Sequence, residues 1–215
     1  HIHRAPGLLV KAEIEAGGET TTVMTDETWK VLPAADWTDS GARQSFRLGF
    51  QEVYDASKHP QGWNTVKFNA RAWQAATVVA APPGPWGDLS PREIPQLREE
   101  RLLPKAVVGV YNSPDRPKTT PVSELPAVMS DAQLVQLRAG SAADTDKLLT
   151  PDGHALIKTP RGDRGVAIIL DFGKEVFGNV EIGISGSGSG CIDLGYAELL
   201  EDGQVKPNKA DTKYA

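Results

Sequence analysis

The segment from Pro82 to Pro95 restricts the possible fold more than any other part of the sequence. It reads PPGPWGDLSPREIP and has proline at positions 82, 83, 85, 91 and 95. Proline fixes φ and lacks a backbone N–H, so this segment is predicted to be an extended connector or a sheet edge. We therefore predict a domain boundary just after it, with one domain over residues 1–100 and a second over residues 101–215.

Short apolar and β-branched runs predict strands on both sides of this boundary. They lack the spacing of three and four residues that marks one face of a helix. Gly17 and Gly18 supply a turn between the first two runs. The sequence thus predicts an all-β fold of two β-sandwich, jelly-roll-like domains. The predicted strands are residues 8–14, 20–24, 46–54, 75–80, 106–111, 166–172, 179–185 and 192–197.

One segment in the second half favours a helix. Ser130 and Asp131 form a helix start signal, and apolar residues follow at helical spacing until Gly140. The sequence therefore predicts one short helix near residues 131–139.

Charge and composition narrow the classes of partner. The net charge is -5 and the pI is about 5.4, so the chain lacks the basic field that attracts nucleic acid or anionic lipid. No apolar run reaches the roughly 18 residues of a membrane span, and we predict neither nucleic-acid nor membrane binding. Cys191 is the single cysteine, so no internal disulfide can form. The first residues lack signal-peptide features; we leave the compartment open and favour an extracytoplasmic one.

Local catalytic motifs are not evident. Residues 186–190 read GSGSG without the lysine or the helix of a phosphate-binding loop, and we predict a flexible hairpin loop there. His59 and His154 are isolated, which predicts surface loop residues rather than metal ligands. A glycosidase pair among Glu52, Asp55 and Glu198 would require these acids to converge in a cleft. We assign no catalytic residue.

Candidate binding residues cluster in the segment QEVYDASKHPQGW. Here Asp55, Tyr54 and Trp63 lie close together in sequence, with Glu52 just before them. Aromatic rings can stack on the apolar face of a sugar while nearby acids hold its hydroxyl groups. Trp86, between Pro85 and Gly87, is a further candidate. The alternative for each tryptophan is packing in the core of a sandwich.

Six segments, taken in order, resemble the region that precedes the catalytic barrel in bacterial α-L-rhamnosidases. Two departures from the family pattern are Ala56-Ser57, where the family has "AR", and the expected absence of the N-terminal strands of the first sandwich. The "DDSxW" motif is degraded, because Asn69-Ala70-Arg71 precedes Trp73. The segments are TDETWK at 25–30, EVYD at 52–55 with GW at 62–63, Trp73, SPREIP at 90–95, LDFGKE at 170–175 with FG at 177–178, and GYAELL at 195–200 with DG at 202–203.

This resemblance implies β-sandwich domains that lead to an (α/α)6 barrel holding the catalytic acids. The chain would then be a non-catalytic accessory part, incomplete at the N-terminus of its first domain, that binds or positions rhamnose-containing carbohydrate beside the barrel of the same protein. Some relatives bind rhamnose through calcium, for which Asp55 is the one evident candidate ligand. Two alternatives stay open: a purely structural interdomain module without a sugar site, and an independent hydrolase acting through Glu52, Asp55 or Glu198.

Overall fold

The computed structural model describes residues 7–43, 49–81, 84, 87–88, 90–114, 116–117, 119–158, 164–187, 190–209 and 212–213. The chain divides into two compact units. Unit 1 contains His1–Thr38 and Tyr54–Arg98, and unit 2 contains Asp39–Val53 and Glu99–Ala215. The domain ranges 1–100 and 101–215 stay a prediction. No helix in the described ranges is long and apolar enough to cross a membrane.

Unit 1 begins with the predicted hairpin. Strand β1 (Lys11–Ala16) pairs antiparallel with β2 (Glu19–Met24), in a register that runs from Lys11 opposite Met24 to Ala16 opposite Glu19. Gly17 and Gly18 both have positive φ, 59° and 84°, as a two-residue type I′ turn requires. The local turn chemistry therefore decides this element, although β1 starts three residues later than the predicted strand.

The rest of unit 1 is joined by short pairings. Strand β3 (Lys30–Val31) pairs with β6 (Gln74–Ala75), which is the part of the predicted strand 75–80 that forms. Strands β4 (Trp37–Arg43) and β5 (Phe50–Tyr54) pair with each other; the start of β4 and Tyr54 belong to unit 1, and the remaining residues of both strands belong to unit 2. A 3-10 helix, Ala56–Lys58, follows β5. Residues 46–48 of the predicted strand 46–54 lie outside the described residues.

Unit 2 is built around a three-stranded antiparallel sheet in the order β11-β7-β8. The long strands β7 (Ala106–Pro114) and β11 (Arg164–Asp171) pair over their whole length, with a bulge between Ile169 and Leu170. Ile169 is the buried hydrophobic residue of this sheet. The two strand predictions at 106–111 and 166–172 are confirmed, and they supply the centre of the unit.

The predicted single short helix is present, but its predicted position was wrong. Helix α1 is Leu125–Asp131, so Asp131 ends the helix instead of starting it. Pro126 occupies the first turn, where its missing N–H costs nothing and its fixed φ suits a helix start. Val135–Gln136 is strand β8, paired with β7 at Tyr111 and Asn112. Backbone pairing with a neighbouring strand thus outweighed the helical spacing of 132–137.

The remaining elements of unit 2 are short. Two 3-10 helices are Val122–Glu124 and Thr145–Leu149. Three two-stranded pairings join consecutive short strands. They are β9 (Ala142–Ala143) with β10 (Leu156–Ile157), β12 (Leu200–Glu201) with β13 (Gln204–Val205), and β14 (Asn208–Lys209) with β15 (Thr212–Lys213).

The strands predicted at 179–185 and 192–197 are not formed in the described part of the chain. Their apolar residues alternate as a strand requires, yet Ile182, Ile184 and Ile192 are exposed. Alternation decides which side of a strand a residue occupies, but a strand also needs a partner for its backbone hydrogen bonds. These two predictions are therefore corrected, while the all-β class is confirmed.

Candidate functional site

Asp55 acts first as the cap of a turn. Its Oδ1 accepts hydrogen bonds from the backbone N of Ser57 at 3.0 Å and from the Ser57 hydroxyl at 2.6 Å, and its Oδ2 lies 3.2 Å from the Lys58 Nζ. The Ser57 hydroxyl, then Lys58 and the Ser57 amide, lower the pKa of Asp55 from its usual value. The carboxylate therefore stays ionised and fixes the 3-10 turn that leads to His59.

His59 is joined to a buried carboxylate from an earlier part of the chain. Its Nδ1 lies 2.7 Å from Oδ2 of Asp36, which is 23 residues away in sequence. Only 7% of the Asp36 side chain is exposed. A buried carboxylate is costly unless it is paired, so His59 is a structural partner for Asp36. The prediction that His59 is an isolated loop residue was wrong.

The other imidazole nitrogen of His59 contacts Trp63. The indole Nε1 of Trp63 donates to Nε2 of His59 at 3.1 Å. The backbone N of Trp63 donates to the carbonyl of Pro60 at 3.3 Å, within the same loop. Two hydrogen bonds thus connect Asp36, His59 and Trp63, and we call this set the Asp36–His59–Trp63 hydrogen-bond network.

The ring of His59 also contacts the ring of Tyr54, which in turn contacts Trp37. The rings of Tyr54 and His59 are 5.8 Å apart in an edge-to-face arrangement, and those of Tyr54 and Trp37 are 4.6 Å apart with a tilt of 38°. The backbone brings Trp37 and Tyr54 together, because they start β4 and end β5, and the N of Asp55 donates to the carbonyl of Asp36 at 2.8 Å. We call Trp37, Tyr54, His59 and Trp63 the aromatic surface.

The aromatic surface is open to solvent. Trp37, Tyr54 and Trp63 are 48%, 45% and 51% exposed. Large rings in a sandwich usually pack in the core, but these three each keep about half of their area in water. Packing of Trp63 in a core, the alternative considered from sequence, does not describe this residue.

The structure brings some predicted site residues together and leaves others apart. Asp55 and Trp63 both lie in unit 1, on the loop around His59. Glu52 is exposed on β5 and belongs to unit 2, as does Glu198. Trp86 lies outside the described residues. Asp36, His59 and Trp37 were missed, because no spacing in the sequence links position 36 to position 59.

Asp55 is the one carboxylate that the sequence suggested as a calcium ligand. Calcium takes about six to eight oxygen ligands. Both oxygens of Asp55 already have partners in the turn, and no group of three His, Cys, Asp or Glu residues suited to a metal occurs among the described residues. Calcium stays a prediction, and no step below depends on it.

The all-β fold and the half-exposed aromatic surface describe this chain without assigning it to a family. Comparison with protein-family models places the chain more closely. Residues 1–99 match the alpha-L-rhamnosidase N-terminal domain, and residues 163–214 match the bacterial alpha-L-rhamnosidase concanavalin-like domain. The two matches support a bacterial alpha-L-rhamnosidase N-terminal fragment. The second match also indicates a sandwich architecture for its part of unit 2.

Searches of the curated proteins and of the solved structures found no match to this chain.

Proposed function

We propose that unit 1 binds rhamnose-containing carbohydrate on the aromatic surface and so positions it for the catalytic region of the same parent protein. The observation that carries this proposal is the row of three half-exposed rings, Trp37, Tyr54 and Trp63, joined through His59. The two family matches support a carbohydrate as the ligand, because both matched domains occur in α-L-rhamnosidases.

The chemistry of the surface suits a sugar. The C–H-bearing face of a pyranose ring is apolar and can lie on an indole or phenol ring, which removes apolar area from water on both sides. L-rhamnose adds a methyl group at C6, which increases the apolar part of the sugar. Single exposed apolar residues are ordinary on a protein surface, but adjacent rings fixed by hydrogen bonds form a patch of the kind that marks a binding site.

Polar groups lie on the same loop as His59 and Trp63. The Asp55–Lys58 ion pair is exposed, with 42% and 57% of the two side chains accessible. Exposed pairs of this kind contribute little to stability, so the carboxylate and the ammonium group are free to exchange their mutual contact for sugar hydroxyl groups. Asp55 thus remains in the proposed site as a hydrogen-bond acceptor, in addition to its capping role.

The experiment is a titration of the 215-residue chain with L-rhamnose and with a rhamnose-containing disaccharide, each with and without calcium. Glucose is the control sugar. Binding is measured by calorimetry and by chemical-shift changes of the tryptophan indole groups. We expect saturable binding of the rhamnosides, with shifts at Trp37 and Trp63.

Two variants and one matched control locate the site. Trp37→Ala and Trp63→Ala should each weaken binding by roughly fivefold, since one stacked ring contributes about 1 kcal/mol. Phe50→Ala is the control, because Phe50 is 49% exposed but lies elsewhere, under the Arg43 guanidinium at 4.3 Å from the ring centroid. Absence of rhamnoside binding in the wild-type chain, with or without calcium, would reject the proposal and favour the purely structural interdomain module.

A further inference from the structure

We propose that Asp36 and His59 are positioning residues that hold the Trp63 indole in place through one tautomer of His59, and that protonation of His59 releases it. The positioning role is inferred only from the geometry of the Asp36–His59–Trp63 hydrogen-bond network. Its consequence for carbohydrate rests on the proposed function, because Trp63 belongs to the aromatic surface.

The direction of each hydrogen bond follows from the chemistry of the groups. An indole N–H can only donate, so Nε2 of His59 must accept from Trp63 and carries no proton. In a neutral imidazole the proton is then on Nδ1, which donates to the carboxylate of Asp36. The three side chains therefore fit a single tautomer, with the proton on Nδ1.

Asp36 and Trp63, at the two ends of the Asp36–His59–Trp63 hydrogen-bond network, differ in how firmly they are held. The Asp36 side chain is almost fully buried, its carbonyl accepts from the N of Asp55 at 2.8 Å, and the next residue, Trp37, donates its N–H to the carbonyl of Ala34 at 3.3 Å. Trp63 is half-exposed and has correspondingly little packing to restrict its ring. Asp36 is thus the anchor, and the bond from Trp63 to His59 orients the indole.

Protonation of His59 breaks only one of the two hydrogen bonds in the Asp36–His59–Trp63 hydrogen-bond network. The imidazolium has N–H groups on both nitrogens, so Nε2 becomes a donor facing the indole donor and the bond to Trp63 is lost. The bond from Nδ1 to Asp36 becomes an ion pair and remains. Among the described residues, Tyr54 at the end of β5 also contacts the His59 ring, and Asp55 and Lys58, which pair with each other, precede His59 in its own turn.

The test is nitrogen-15 NMR of the whole chain without sugar. Long-range spectra of the imidazole report its tautomer directly, and the Trp63 indole signal is assigned by its loss in Trp63→Phe. We expect the proton on Nδ1 of His59 at neutral pH. On acidification the Trp63 indole signal should move in the same titration as the His59 imidazole, whereas the indole of Trp29, which donates to the carbonyl of Met24 at 2.9 Å, should not follow it.

Two variants separate positioning from general support of the fold. His59→Gln keeps an acceptor for Trp63 and a donor for Asp36, so the indole signal should stay near its wild-type position and lose its pH dependence. His59→Phe should shift the indole signal at all pH values. A proton on Nε2 in the wild type, or a Trp63 signal that ignores the titration of His59, would overturn the proposal without any need for a variant to fold.

The sugar titration then distinguishes this inference from the proposed function. If the Nδ1 tautomer and the linked titration are observed but no rhamnoside binds, the positioning stands and the binding proposal fails. If rhamnoside binds through Trp63 in the wild type and equally well in His59→Phe, the binding proposal stands and the positioning role is contradicted.

Discussion

Arg116 and Asp193, 77 residues apart in the chain, form an ion pair with two hydrogen bonds. The Nε of Arg116 donates to Oδ2 of Asp193 at 2.7 Å, and its Nη2 donates to Oδ1 at 2.6 Å. Both side chains are largely shielded, with 18% and 25% exposed. Asp193 lies in the segment 190–199, which forms no strand, so this ion pair helps to fix that segment within unit 2.

The first prediction concerns this ion pair. Arg116→Lys keeps the charge but loses the planar two-pronged contact, and it should lower the free energy of unfolding by about 1–3 kcal/mol. Arg101→Lys is the matched control, because Arg101 and Glu181 form a similar pair in unit 2 with 76% and 79% of the side chains exposed. The control should change stability by about 0–1 kcal/mol. Urea unfolding measures both, and equal losses would contradict the prediction.

The second prediction concerns Asn112, which is buried and connects three strands of unit 2. Its Nδ2 donates to the carbonyl of Gly165 at 3.3 Å on β11, and its Oδ1 accepts from the N of Arg138 at 2.7 Å just after β8. Asn112→Asp replaces the donor with a carboxylate oxygen facing the Gly165 carbonyl. Asn112→Asp should lower the free energy of unfolding by about 1–3 kcal/mol at neutral pH.

Asn69→Asp is the control for this substitution. Asn69 is exposed, and its Oδ1 accepts from the N of Arg71 at 3.1 Å, a bond that an aspartate retains. The expected change is within about 0.5 kcal/mol. Thermal unfolding of both variants gives the comparison, and a stable Asn112→Asp protein would show that the link between the strands is unimportant.

The third prediction concerns the space around Gly195. A Cβ added there would lie 2.6 Å from Cγ of Pro207 and 2.7 Å from Cε of Met129 on α1. Pro207 is fully buried, and its ring can change only its pucker, so it cannot swing away from the added Cβ. Gly195→Ala should therefore cost about 1–3 kcal/mol through overpacking.

Gly183→Ala is the control for Gly195→Ala, because a Cβ at Gly183 meets no atom within 4 Å. That variant should be at least as stable as the wild type. Chemical unfolding of the two alanine variants tests the difference, and a Gly195→Ala protein of unchanged stability would mean that α1 and Pro207 do not pack as closely as described.

The fourth prediction concerns pH. The folded-state pKa of Asp55 is lowered, first by the Ser57 hydroxyl. Its contribution to stability is therefore present above the unfolded-state pKa and is lost as the pH falls through the lower folded-state pKa. The stability difference between wild type and Asp55→Asn should be largest near neutral pH and should vanish in strong acid.

Carboxyl NMR titration measures the Asp55 pKa directly. Ser57→Ala should raise the Asp55 pKa toward 3.8, the usual value of an aspartate. Asp26 provides an independent case, because the Thr28 hydroxyl and amide lower its pKa in a similar turn. Ser57→Ala should leave the pKa of Asp26 unchanged. An Asp55 pKa that does not respond to Ser57→Ala would contradict the capping role.

Local chemistry in the sequence was enough for the elements that close over a few residues. The first hairpin follows from two glycines between β-branched runs, and the long strands β7 and β11 follow from uninterrupted apolar runs. The position of α1 is also encoded locally, because Pro126 is typical of a first helical turn, whereas the helical spacing of residues 132–137 does not lead to a helix. Asp55 and Trp63 were selected as candidates because they are close in sequence, and both lie around the aromatic surface.

The tertiary structure alone decided the contacts between distant residues. Nothing in the sequence pairs Asp36 with His59 or places Trp37 against Tyr54, because such contacts depend on how β4 and β5 pair. The same reason explains why 192–197 has the alternation of a strand without forming one: a residue pattern specifies the faces of an element, whereas its partner is supplied by the rest of the fold. The sequence therefore determined the all-β class and the loop that holds the candidate site, and the fold determined which side chains meet there.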